Sequence, residues 1–166
     1  MLRLKEIYEI WRKDSSLKQA LNDSHAMLER TDRMFHESVQ SLRESDTGEI
    51  GIDIYEEDQV VNRYQQEVRR KILRHLAITG GVNVVPGLIL PSIVIDIERI
   101  GDYTKNIMEL AVAHPGKLRA GEYEADVAKI EEAVARIFDG IVSILKTTDK
   151  VAARRLIGEN VWIRKR

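Results

Sequence analysis

The chain has 166 residues, 43% hydrophobic and 32% charged, which suits a folded domain with a core and long polar outer faces. Its 26 Lys and Arg nearly cancel its 27 Asp and Glu, so no net field would hold nucleic acid. There is no cysteine, which excludes disulfides, thiolate metal sites and cysteine nucleophiles together.

Between a few Gly and Pro breaks the apolar residues recur with helical spacing, so the expected fold is all-α. Residues 1–13 alternate charged and apolar positions and do not read as a signal peptide. Leu4, Ile7, Tyr8 and Trp11 share one face of a short first helix. That face is expected to dock on the bundle rather than on a membrane, because Arg3, Lys5, Arg12 and Lys13 are offset by Glu6 and Glu9. Ser16 and Gln19 form a capping-box pattern for a second helix over residues 17–45. Its seam is Leu17, Leu21, Ser24, Leu28, Thr31, Phe35, Ser38 and Leu42, stepping by four and three.

A third helix is expected over residues 54–79, with Val61, Tyr64, Val68 and Ile72 inward and Gly80-Gly81 as its stop. Residues 82–97 are the most apolar stretch, but Asn83, Pro86, Gly87 and Pro91 interrupt it, so it does not read as a membrane span. The expected location is cytoplasmic. A fourth helix follows Pro86-Gly87, with Pro91 in its first turn, and ends near His114. Its expected seam is Leu90, Ile93, Ile97, Ile100, Thr104, Ile107 and Ala111. Pro115-Gly116 closes this part. A fifth helix is expected over residues 122–147, with Val127, Ile130, Val134, Ile137, Ile141 and Leu145 inside, and Asp149 caps a sixth.

The chain also matches itself. Arg33, Phe35, Val39, Leu42 and Asp46 align with Arg136, Phe138, Val142, Leu145 and Asp149 at one constant offset. The implied architecture is an antiparallel helix bundle: an N-terminal amphipathic helix (1–14), one complete three-helix repeat (15–116) and a partial second repeat (117–166). A two-helix hairpin cannot bury its own seam. The second part is therefore expected to be truncated or to borrow cover, and to show a large apolar strip or form a homo-oligomer.

The densest chemistry lies in residues 96–107. Glu98, Asp102 and Asn106 follow at i, i+4 and i+8, on one helical stripe. Counted from Leu90 as a seam position, the stripe is expected on the outer face. Oxygen ligands one turn apart suit a divalent cation. Asp58 and Asn62 repeat the spacing on the preceding helix, and Asp96 and Arg99 are expected to pair at the surface. On either helix alone, such a pair is most often solvated surface.

The run Asp96-Ile97-Glu98-Arg99-Ile100-Gly101-Asp102, followed by Asn106-Ile107, resembles the signature of the PhoU family of phosphate-uptake regulators. That resemblance implies tandem three-helix bundles with an acidic i, i+4 motif on two helices of each. It implies a metal site at Glu98, Asp102, Asp58 and Asn62, supported by Asn106, Asp96 and Arg99, for iron, zinc or manganese. Where the family prefers Asp, this chain has Asn62, a weaker neutral ligand, and the second repeat offers only Asn160 and Arg164. The family regulates phosphate transporters and an associated signalling kinase, which become the expected partners. Trp11-Arg12-Lys13-Asp14-Ser15 is also similar to the branch found with sodium–phosphate cotransporters.

No enzyme is expected. None of His25, His36, His75 and His114 completes a Glu-x-x-His di-metal motif, and no phosphate-binding Gly-Lys loop or nucleophile elbow occurs. The alternative to a regulator is a structural or dimerisation module without metal.

Overall fold

A computed structural model of the chain describes residues 4–49, 51–81, 83–114, 116–147 and 149–165. Val82 and Pro115, expected in the breaks, and the side chains of Leu4 and Arg164 lie outside the described residues. Among the described residues there are six α-helices and no strand: α1 (Leu4–Lys13), α2 (Ser15–Glu44), α3 (Ile54–Ile78), α4 (Val84–Ala113), α5 (Glu124–Thr147) and α6 (Lys150–Glu159). Short 3-10 turns cover Gly121–Tyr123 and Val161–Lys165. No described helix is long and apolar enough to cross a membrane. The chain divides into two compact units, one of Met1–Thr31 and Ile54–Tyr103, the other of Asp32–Asp53 and Thr104–Arg166. Helices α2 and α4 each contribute residues to both.

In the first unit α2 begins at Asp14, not at a Ser16 box. The Asp14 carboxylate accepts from the N–H groups of Ser16 (2.9 Å) and Leu17 (3.0 Å), filling two of the donors that a helix start leaves open. Leu17, Leu21, Ser24, Leu28 and Thr31 are all buried here. The two hydroxyls are satisfied locally: Ser24 donates to the Ala20 carbonyl and Thr31 to that of Met27. Arg30 pairs with Glu57 and Lys71 with Asp23, so α2 and α3 run antiparallel. Val61, Val68 and Ile72 of α3 are buried as expected, and Tyr64 is half-buried. His75 belongs to this core too, 4% exposed, with Nδ1 3.4 Å from the Asp14 carboxylate. At the end of α3 the Gly81 N–H donates to the Leu76 carbonyl across the expected glycine pair.

Helix α1 docks by Trp11, 2% exposed, whose indole N–H donates to the Pro86 carbonyl at 2.8 Å. Helix α4 starts earlier than expected. Pro86 occupies its first turn and Pro91 lies inside it.

In the second unit Phe35 of α2 stacks on Phe138 of α5, with ring centroids 4.9 Å apart. These two residues are partners in the internal repeat. Ser38 and Leu42 are buried, which completes the expected α2 seam. Asp149 caps α6 through the N–H groups of Val151 and Ala152, and Lys129 lies over the Trp162 ring.

The expected interior of α5 is only half formed. Val127, Ile130, Val134, Ile137, Ile141 and Leu145 are all half-buried, and only Ala133 and Phe138 of this helix are buried. Ile137, Ile141, Ile144 and Leu145 line a groove of ≈ 420 Å³ together with Leu156 and Ile157 of α6 and Ile163 beyond it.

Candidate functional site

Helix α4 carries the acidic stripe, and its rotation differs from the expectation. The buried line runs through Leu90, Val94, Ile97, Gly101, Thr104, Met108 and Ala111. Ile93, Ile100 and Ile107, expected in the seam, are half-buried at its edge. The turn brings Glu98 and Asp102 to the half-buried flank of the helix rather than to its outer face. Asn106 is exposed, as are Asp96 and Arg99, which pair with each other at 3.9 Å.

On α3, Asp58 and Asn62 are half-buried, and the Asn62 amide donates to the Asp58 carboxylate at 3.4 Å. Gly101 marks where α4 faces α3 and α2. A Cβ at this residue would stand 3.5 Å from Val61 Cγ1 on α3 and 3.9 Å from Thr31 Oγ1 on α2. The glycine of the signature thus lies buried against Val61 and Thr31, with room for a methyl group at ordinary contact distance. Asp102 and Asn62 each follow directly after a residue in this contact.

The place where ligand atoms converge is elsewhere. Among the described residues, three metal-ligating side chains come within 4.8 Å of one another at Asp32, His36 and Asp139. Asp58, Glu98 and Asp102 are not part of that group. Asp32 and His36 lie one turn apart on α2, and Asp139 follows the stacked Phe138 on α5. Two signals in the sequence pointed there. Asp32-x-x-x-His36 has ligand spacing on one helix face, and His36 and Asp139 are repeat partners one residue past the matched Phe35 and Phe138.

Arg43 forms a second polar node. Its guanidinium donates to the Leu118 carbonyl at 2.8 Å, pairs with Glu124, and reaches Glu131 at 3.3 Å. The Glu124 carboxyl is held below its ordinary value, first by the Ala120 N–H and then by Arg43. Burial pushes Glu131 upward, against the pull of Arg43.

A half-buried acid pair on α4, the Asp58–Asn62 pair on α3 and a buried glycine follow the spacing of the signature. The PhoU domain matches residues 25–111, more than half of the chain. The chain belongs to the PhoU domain family. No curated protein matches it, and no solved structure matches it. The matched segment includes Asp58, Asn62, Glu98, Asp102 and Asn106 and, in the second group, Asp32 and His36 but not Asp139. The chain is a helical-bundle member of a family of phosphate-transport regulators.

Proposed function

We propose that this PhoU-domain protein regulates phosphate transport or phosphate signalling by binding proteins and not by catalysis, with a phosphate-transporter component or its associated kinase as partner. The observation that carries a binding role is the apolar groove between α5 and α6, where side chains of core type face outward. Helix-in-groove recognition suits such a surface. On α6, Lys150 and Arg154 lie one turn before the groove residues Ala153 and Ile157, while Arg155 pairs with Glu159 away from it, so the occupant is an amphipathic helix with an acidic flank. Helix α5 of a second copy carries the same half-buried apolar face and supports a homo-oligomer through it.

The family's acidic motifs add a cation to this reading. Glu98, Asp102 and Asp58 would hold it, with Asn62 turning its amide oxygen inward, and Asn106 beside them. This all-oxygen set is a hard-cation site, and manganese or iron suits it better than zinc.

The test is phosphate uptake in cells lacking the gene, complemented with wild type, with Ile141→Asp/Ile157→Asp, or with Glu98→Ala/Asp102→Ala. Deletion is expected to change uptake of labelled phosphate, and the groove variant to fail to restore it. Uptake that is indifferent to deletion would refute a regulatory role. Elemental analysis of the purified proteins should show manganese or iron in wild type and less in the acid variant.

A further inference from the structure

We infer that Asp32, His36 and Asp139 form a binding site for a zinc-like divalent transition metal, which ties α2 to α5 and is separate from the acidic stripe of the PhoU signature. The inference does not rest on the regulatory reading above.

The donor set is the first argument. One imidazole and two carboxylates suit zinc, cobalt or nickel, whereas magnesium and calcium take oxygen ligands alone. Three protein ligands leave a fourth position for water, the pattern of an open zinc site. The His36 side chain is 49% exposed and that of Asp32 24%, so the site has a solvent face for that water and for entry of the ion.

The spacing is the second argument. With zinc bonds of about 2.0–2.1 Å and tetrahedral angles, neighbouring ligand atoms lie about 3.3 Å apart. His36 Nε2 and Asp32 Oδ1 are 3.4 Å apart, so two of the ligands already stand at coordination distance from each other. The Asp139 oxygen lies within 4.8 Å of both, a gap that a side-chain rotation closes.

The third argument is support. Phe35 and Phe138 precede His36 and Asp139 directly, and their stack fixes the register of α2 against α5 at the turn that carries the ligands. On the α2 side the imidazole and Asp32 are one turn apart, so helix geometry sets their separation. A bound ion would bridge the first helices of the two repeats.

Isothermal titration of the full chain with zinc near neutral pH tests this, with cobalt absorption to report an imidazole–carboxylate site. Wild type is expected to bind one zinc here. His36→Ala and Asp139→Asn should each weaken that binding at least tenfold with helical CD unchanged, since both side chains are exposed. Glu98→Ala/Asp102→Ala should leave it intact, which separates this site from the family motif. Zinc should raise the melting temperature of wild type and not of Asp139→Asn. Zinc affinity unchanged in His36→Ala and Asp139→Asn overturns the inference, as does loss of that binding only in the Glu98→Ala/Asp102→Ala protein.

Discussion

The signature glycine offers a quantitative check on how α4 is seated. At Gly101 a methyl group would meet Val61 Cγ1 at 3.5 Å and Thr31 Oγ1 at 3.9 Å, which are ordinary contact distances. Gly101→Ala therefore fits without moving a neighbour. It gains roughly 1 kcal/mol of helix propensity and buries a methyl worth up to about 0.8 kcal/mol. The expected change runs from neutral to about 1.5 kcal/mol of stabilisation. Gly101→Leu adds three more carbons where Val61 and Thr31 already form the wall, and such overpacking costs about 1–3 kcal/mol. The two variants should differ by roughly 3 kcal/mol, or about 6–12 °C in Tm for a chain of this size. Urea and thermal melts followed by far-ultraviolet CD read both. A loss above about 1 kcal/mol in Gly101→Ala would show that the helices approach more closely than these distances, and the packing account of the signature glycine would fail.

Three further perturbations test the fold around the site. Gly48 sits at φ +71°, and a Cβ there would come 2.9 Å from the Ala111 carbonyl oxygen; Gly48→Ala should cost about 3 kcal/mol from left-handed strain plus the clash, whereas Gly121→Ala, at φ +60° with open space around it, should cost only about 1–2 kcal/mol in the same melts. Ile97, 4% exposed, lies on the buried line, so Ile97→Asp should abolish the cooperative melt by burying a carboxylate without a counter-charge, while Ile100→Asp at the half-buried edge should still fold; equal damage from both would place the seam midway. The depressed Glu124 carboxyl contributes stability that is present above the ordinary glutamate value of 4.5 and is lost as pH falls toward its own lower value; the Tm gap between wild type and Glu124→Gln should therefore narrow on acidification below 4.5, and a gap that widens would contradict the pairing with Ala120 and Arg43.

What could be read from the residues depended on how sharply the apolar pattern fixed a helix's phase. On α2 small and large apolar residues step cleanly between charged ones, and all eight expected seam residues are buried. On α4 the first half is apolar nearly all round, so Ile93, Val94 and Ile95 permit several phases. Weighting by hydrophobicity then favoured Ile100 and Ile107 over Gly101 and Met108, although the latter two are the buried ones. The same phase error placed Glu98 and Asp102 outward instead of on the flank. At the start of α2 the expected Ser16 box gave way to Asp14, whose carboxylate reaches the N–H groups of Ser16 and Leu17 at once. The Asp32, His36 and Asp139 group was beyond reach from one helix at a time, because its third ligand arrives only when α2 and α5 cross.

That crossing also explains why α5 keeps an open apolar face. Helices α2 and α5, whose residues match at one offset in the sequence, meet where Phe35 stacks on the matched Phe138. At the repeat offset, the buried Leu21 and Leu28 of α2 correspond to Glu124 and Glu131 of α5. Both acids pair with Arg43 of α2, so the first half of α5 is joined to α2 by charge as well as by packing. In the second half, Ile141 and Leu145 stand where Ser38 and Leu42 are buried on α2, and they line the α5–α6 groove instead. One end of α5 is thus a polar node and the other keeps the chemistry of a core. Apolar area left in that state costs free energy in water, roughly 25 cal/mol per Å². A surface with that cost is the place where a binding partner gains the most from covering it.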